Sequence, residues 1–161
     1  MPLVTRDLEY REDGTTLDGV VVLDDDRSDQ RPGVLVIHGG TGLDGHAREQ
    51  AHRYAELGFV AFACDMYGRG GAGDRERVMA TVMGLRDAPD RLARRAAVGL
   101  GALGALGGCA EVNGHLAAVG FCFGGMAALT LARSGATLAA VVSMHGSLAT
   151  TKPAEAGAVT A

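Results

Sequence analysis

Four runs of apolar residues stand out along the chain, and glycine-rich or polar segments follow each of them. They cover residues 34–37, 59–63, 116–119 and 138–142, and they are apolar at successive positions. Strands that are buried on both faces of a parallel sheet have this continuous pattern, whereas a half-exposed strand alternates. The pattern therefore predicts an α/β fold with a mainly parallel sheet and helices on both of its faces.

Helical patterns separate these runs. A helix is predicted after Asp44, a candidate N-cap, and before Gly58, with apolar positions at helical spacing: Ala47, Ala51, Tyr54 and Ala55. A short helix is predicted over residues 74–85. A longer one should follow from the cap candidate Asp87. Gly99, Gly101 and Gly104 weaken its pattern, which is least clear beyond Leu100.

An antiparallel hairpin is predicted at the start of the chain. Residues 8–11 and 15–17 flank Asp13 and Gly14, a pair that tolerates the positive φ angles of a tight turn. The apolar residues 20–23 extend the second strand of this hairpin.

The third apolar run leads into Gly120-Phe121-Cys122-Phe123-Gly124-Gly125, and a helical pattern follows from Met126 to Arg133. The form G-x-C-x-G-G matches a nucleophile elbow with cysteine in the serine position, where small residues are required because the turn is tight. Cys122 is expected to project from this turn, and the helix start favours its thiolate form. A buried, inert cysteine is the alternative, and the flanking glycines favour the elbow.

The carboxyl ends of parallel strands meet at one rim of a sheet, which is where sites form in such folds. That rim should gather residues 38–43, 65–70, the elbow and residues 145–147. A thiolate that attacks an ester carbonyl needs hydrogen-bond donors for the oxyanion. The backbone N–H groups of Phe123, which follows the nucleophile, and of Gly40, in the loop after an earlier strand, are predicted to supply them.

Four other side chains on this rim are weaker candidates for contact with a substrate. His38 is expected to shape the loop that contains Gly40. Tyr67 and Arg69 are candidates to hold a substrate carboxylate. His145 is expected to line the pocket, and it is also a candidate base because it is the only histidine that follows Cys122.

Composition excludes several classes of protein. The chain has 161 residues, 47% hydrophobic content and a net charge of −4, and its basic residues form no stripe, so a single globular domain without a nucleic-acid partner is expected. No secretory signal and no membrane span are predicted. The cysteines at 64, 109 and 122 have no C-x-x-C spacing, which favours a reducing cytoplasm over a disulfide framework or a zinc site.

With these features laid out, residues 34–70 and 116–153 resemble the dienelactone hydrolase family of α/β-hydrolases. The segments that carry the resemblance are Val34-Leu35-Val36-Ile37-His38 with Gly42-Leu43-Asp44-Gly45-His46, Gly58-Phe59-Val60-Ala61 leading to Asp65-Met66-Tyr67-Gly68, the cysteine elbow, and His145-Gly146-Ser147-Leu148. The resemblance implies hydrolysis of a small-molecule ester or lactone, of the carboxymethylenebutenolidase type. It further implies an acyl-enzyme on Cys122 and a Cys-His-Asp triad, without metal or cofactor.

The chain departs from the family pattern in two places. Family members often carry glutamate where this chain has Gly39. In the hydrolase order the acid and the base follow the nucleophile on later strands, so the resemblance places the triad Asp and His beyond residue 161. Residues 1–161 are therefore expected to be the N-terminal portion of one α/β-hydrolase domain, without its last strands and helices and inactive by itself.

Two other functions fit the elbow. Glutamine amidotransferases also use G-x-C-x-G, although their oxyanion loop and nucleophile usually lie closer in sequence than Gly40 and Cys122. The other is a catalytically dead hydrolase fold that serves as a binding module and retains the elbow as a relic.

Overall fold

The computed structural model describes residues 2–106 and 112–161, so Cys109 lies outside the described residues. The described part contains six strands and four helices. In chain order these are β1 (Leu3–Glu12), β2 (Thr15–Asp24), β3 (Arg31–Ile37), α1 (Gly45–Glu56), β4 (Val60–Cys64), α2 (Arg75–Arg86), α3 (Pro89–Ala105), β5 (Val112–Phe121), α4 (Phe123–Arg133) and β6 (Ala140–Met144).

The strands form one mixed sheet in the order β1-β2-β4-β3-β5-β6. β3 is parallel to β4 and β5, and β5 is parallel to β6, whereas β2 is antiparallel to β1 and β4. The predicted hairpin is confirmed, with positive φ at both Asp13 and Gly14. The predicted fold, a mainly parallel sheet of the α/β class, is confirmed as well.

Both faces of the central strands are covered, which explains their continuous apolar runs. Along β3, Leu35 and Ile37 pack into the core under α3 and α4, while Val34 and Val36 pack into the core under α1. Successive side chains of a strand point to opposite faces. A strand between two helical layers therefore needs an apolar residue at every position.

The predicted N-cap of α1 is confirmed, and α2 has a side-chain cap that was not predicted. The carboxylate of Asp44 accepts a hydrogen bond from the N–H of Ala47 at 3.1 Å, and Asp74 caps α2 in the same way. The predicted cap at Asp87 is wrong. Asp87 is instead the C-cap of α2, and the N-cap of α3 is Ala88, whose side chain offers no hydrogen bond.

The predicted third helix continues through its glycines to Ala105. Gly99 explains part of this, because a Cβ there would lie 3.2 Å from the Cβ of Cys64 on the sheet. The glycine lets α3 approach β4 closely, and that packing offsets the low helix propensity of glycine.

The last predicted strand is observed as β6, but the expected burial on both of its faces is not. Val142 and Met144 are 45% and 46% exposed, and among the described residues β6 pairs only with β5. No helix in the described part of the chain combines the length and the apolar character that a bilayer span requires.

Candidate active site

The predicted strand, turn and helix around Cys122 are all observed. β5 ends at Phe121, α4 begins at Phe123, and Cys122 between them has φ 53° and ψ −111°. A non-glycine residue with positive φ is uncommon and is held in place only by its surroundings. The N–H of Cys122 donates to the carbonyl oxygen of Met144 at 2.9 Å, and the residue is exposed. Cys122 thus sits on a strained bend that is open to solvent.

The glycines of the elbow are required by close backbone approaches. A Cβ on Gly120 would lie 1.9 Å from the carbonyl oxygen of Gly124, and one on Gly124 would lie 2.2 Å from that of Ile37. Gly125 is equally confined, because its Cβ would lie 3.0 Å from the Cα of Gly146. No side chain fits at these positions, so the sequence G-x-C-x-G-G permits α4 to press its first turn against the ends of β3 and β6.

Phe123 follows Cys122 directly in the sequence, and its N–H belongs to the first turn of α4. Amides of a first turn have no acceptor within their helix, and the helix dipole makes this end electropositive. The ring of Phe123 is buried, with its centroid 6.4 Å from that of His38 and 5.8 Å from that of Tyr67. This packing anchors the start of the helix.

The loop after β3 runs beside the thiol. A Cβ on Gly39 would lie 4.0 Å from the Cβ of Cys122. The carbonyl oxygen of Gly39 accepts from Nδ1 of His38 at 2.7 Å and from the N–H of Gly42 at 3.2 Å. Because C=O and N–H point in opposite directions across a trans peptide, the N–H of Gly40 points away from these partners. Nothing within the described residues accepts a hydrogen bond from it.

His38 is fully buried, and both of its ring nitrogens are occupied. Nδ1 donates to Gly39, while Nε2 accepts from the N–H of Met66 at 3.0 Å. These bonds fix the neutral tautomer with the proton on Nδ1, and burial lowers the pKa of the imidazole. His38 therefore joins the loops after β3 and β4, and it has no free nitrogen for a substrate.

Tyr67 is also part of this scaffold. Its hydroxyl donates to the carbonyl oxygen of Gly40 at 2.9 Å, and its ring meets that of His38 edge to face with centroids 4.6 Å apart. Burial raises the pKa of the phenol, so the hydroxyl keeps its proton. The proton is committed to a backbone carbonyl and is not available to a substrate carboxylate.

Arg69 and His145 differ in whether their side chains are free to contact a substrate. The guanidinium of Arg69 forms ion pairs with Asp18 and Glu9 of the N-terminal hairpin, each at 2.6 Å, and these pairs lower the pKa of both carboxyl groups. His145 follows β6 with φ 49° and is exposed. It lies on the same rim as Cys122, and no hydrogen-bond partner occurs for its ring among residues 2–106 and 112–161.

A buried ion pair that the sequence patterns did not indicate braces the loop after β4. Arg95 on α3 pairs with Glu12 on β1, 83 positions away, and its Nη1 donates to the carbonyl oxygen of Met66 at 2.9 Å. The one available signal was helical spacing, because Arg95 lies three residues after the buried Leu92 on the apolar side of α3. The loop after β4, which carries Tyr67 and hydrogen-bonds to His38, is therefore held in place by α3.

The described residues provide an exposed thiol on a bend and nearby backbone amides, but no hydrogen-bonded Cys-His-Asp triad. No histidine or carboxylate among them forms a hydrogen bond with the thiol of Cys122, and none of their acidic, histidine and cysteine side chains cluster as metal ligands do. A cavity of about 730 Å³ lies beside Arg133 and Ser134 at the far end of α4, about 16 Å from the elbow along the helix. This cavity is separate from the thiol.

Comparison with known proteins gives a family match and structural relatives. The sequence profile of the dienelactone hydrolase family matches residues 17–161. A dienelactone hydrolase-like promiscuous phosphotriesterase from metagenomic libraries is 39% identical with a TM-score of 0.86, over 97% of this chain and 63% of that chain. The structure called m3DLH is 36% identical with a TM-score of 0.84, over 91% of this chain and 61% of that one.

A more distant structure agrees in fold. Dienelactone hydrolase from Anabaena variabilis ATCC 29413 is 22% identical with a TM-score of 0.69, over 89% of this chain and 64% of that chain. No curated protein matches the chain. The chain thus spans less than two thirds of the length of each of these three structures.

Proposed function

We propose that this chain, which belongs to the dienelactone hydrolase family, supplies the nucleophile and the oxyanion donors of an enzyme that hydrolyses small esters or lactones. The observation that carries the proposal is the exposed thiol of Cys122, held with φ 53° on a strained bend at the start of α4. The loop beside it contains the Gly40 amide, for which residues 2–106 and 112–161 offer no acceptor. Strained geometry of this kind persists where it serves a function.

The proposed reaction proceeds through a thioester. The thiolate sulfur of Cys122 attacks the carbonyl carbon, a C–S bond forms, and the carbonyl electron pair moves to the oxygen. The N–H groups of Gly40 and Phe123 donate to this oxyanion. The C–O bond then breaks, and its oxygen takes the proton that the base removed from the thiol. The alcohol leaves, or stays attached as a hydroxyl if the substrate is a lactone. Water attacks the thioester in a second step, which releases the acid and restores the thiol.

The base and its partner are proposed to lie beyond residue 161. In α/β-hydrolases both follow the elbow in chain order, and the related phosphotriesterase matches this chain over only 63% of its own length. Residues 1–161 would then form the N-terminal portion of a single hydrolase domain. His145 is the alternative base among the described residues, because it is exposed on the rim that carries Cys122.

Phosphotriesters are a second candidate substrate class. The relative that is 39% identical is described as a promiscuous phosphotriesterase. Space beside the thiol supports this candidate, because Gly39 and Gly40 place no side chain there and a Cβ on Gly40 would have no neighbour within 4 Å. A tetrahedral phosphorus centre needs such room. The sulfur would form a bond to phosphorus as the P–O bond to the leaving alcohol breaks.

Amidotransferase activity finds no support in the family match or in the related structures. A binding module with an inert elbow would differ from an esterase because its cysteine would not be acylated in a burst. The test is burst acylation by p-nitrophenyl acetate in a chain that includes the residues proposed to follow residue 161. Three proteins are compared: wild type, Cys122→Ala, and Cys64→Ala as a matched control at a buried cysteine. We expect a burst of p-nitrophenol in wild type and in Cys64→Ala and none in Cys122→Ala. A burst that survives in Cys122→Ala would refute the assignment.

A further inference from the structure

We infer that Tyr67 is a positioning residue, whose hydroxyl holds the Gly39-Gly40 segment so that the Gly40 N–H stays available to an oxyanion on the substrate of Cys122. The inference rests on the proposed function. It replaces the expectation that Tyr67 binds a substrate carboxylate, because the residue is buried and its hydroxyl is already engaged.

The hydroxyl reaches both carbonyl groups of the segment. It lies 2.9 Å from the oxygen of Gly40 and 3.3 Å from that of Gly39. The oxygen of Gly39 also receives hydrogen bonds from His38 and Gly42, whereas Tyr67 is the only donor to the oxygen of Gly40 within the described residues. Tyr67 thus fixes the peptide unit that follows Gly40. It also contributes, with His38 and Gly42, to holding the preceding unit, which carries the Gly40 N–H.

The segment needs such a restraint because glycine has no side chain to hold it. A Cβ on Gly40 would have no neighbour within 4 Å, so packing does not fix this residue. Glycine enters positive and negative φ with similar ease, and two adjacent glycines allow the intervening peptide to turn over. A reversed peptide would present a carbonyl oxygen to the substrate oxyanion instead of an N–H, and that arrangement repels the charge.

Tyr67 is itself held rigidly. Its N–H donates to Oδ1 of Asp65 at 2.8 Å, and its ring packs against those of His38 and Phe123. The preceding residue, Met66, is held by Arg95 from α3. The phenol is therefore preorganised, and removal of its oxygen leaves the ring with the same packing while the Gly40 carbonyl loses its donor.

The experiment compares two reactions of Cys122 in wild type and in Tyr67→Phe, both made as chains that include the residues proposed to follow residue 161. Acylation by p-nitrophenyl acetate builds an oxyanion, whereas alkylation by iodoacetamide displaces iodide at a saturated carbon and builds none. Removal of an oxyanion donor costs about 10²–10³-fold in rate. Because Tyr67→Phe loosens a donor without removing it, we expect acylation to fall about tenfold, with kcat lowered and KM unchanged, and alkylation to stay within about twofold. Tyr54→Phe on α1 is the control and should change neither rate.

The two rates together separate a failure of the inference about Tyr67 from a failure of the proposed function. Equal acylation in wild type and Tyr67→Phe overturns the inference and leaves the proposed function intact. A parallel loss of acylation and alkylation also overturns it, because the thiol itself would then be disturbed. Wild type that is alkylated but never acylated refutes the proposed function. Protection of the buried Cys64 from iodoacetamide reports that each protein is folded, and the rates are compared at a temperature where both proteins protect it.

Discussion

Alanine in place of Gly124 should displace the elbow. The new Cβ would lie 2.2 Å from the carbonyl oxygen of Ile37 and 2.5 Å from that of His38. Both neighbours are backbone atoms, so neither can turn aside as a flexible side chain would. A shift of about 1 Å between α4 and the end of β3 is needed to reach normal contact distances.

The size of the effect follows from this shift. Overpacking of a tight interface costs about 1–3 kcal/mol of unfolding free energy. A misplacement of about 1 Å at a reacting group costs about 10²-fold in rate. We therefore expect Gly124→Ala to lower the rate of Cys122 acylation about 10²-fold and to lower the melting temperature by several degrees, at about 2–4 °C per kcal/mol for a domain of this size.

The assay measures the acylation burst with p-nitrophenyl acetate together with thermal unfolding by circular dichroism. Gly101→Ala on α3 is the matched control, because a Cβ there meets nothing within 4 Å. Alanine has the higher helix propensity, so this variant should gain about 0.5–1 kcal/mol and keep its full acylation rate. If Gly124→Ala acylates within threefold of wild type and unfolds at the same temperature, the close approach does not hold the elbow.

Two further predictions concern the loop after β3. Gly39→Glu should place a carboxylate beside Cys122 and disfavour its thiolate, so iodoacetamide should react more slowly than with Gly39→Ala at neutral pH; equal rates would contradict the placement of this loop. His38 is buried and its pKa is lowered by burial, so the unfolded state takes up a proton that the folded state excludes. Stability should therefore be complete above about pH 6.5, the unfolded value, and should fall as the pH drops below it. Urea unfolding should show a flatter pH dependence for His38→Gln, and an equal slope in both proteins would rule out His38 as its source.

The architecture followed from local patterns in the sequence. The continuous apolar run at 34–37 predicted a strand covered on both faces, and the hairpin at Asp13 and Gly14 followed from turn chemistry. The turn at Cys122 was visible because the glycines around it are near in sequence. Each of these signals depends on neighbours along the chain, and each is confirmed by the strands and helices observed.

The contacts that hold the site were harder to predict, because they join distant positions. The ion pair of Glu12 and Arg95 spans 83 residues, and no local pattern specifies it. Tyr67 looked available to a substrate because it lies in a loop, whereas its hydroxyl turns inward to Gly40. The direction of such a side chain depends on how two loops meet, and this is settled only by tertiary packing.

The most direct test of the account is the site of acylation. The protein is mixed with p-nitrophenyl acetate, quenched in acid during the burst and digested, and the peptides are analysed by mass spectrometry. The account predicts one acetyl group on the peptide that contains Cys122, which hydroxylamine removes as expected for a thioester. An acetyl group that is absent from Cys122 during a clear burst, or that is carried by another residue, would contradict it.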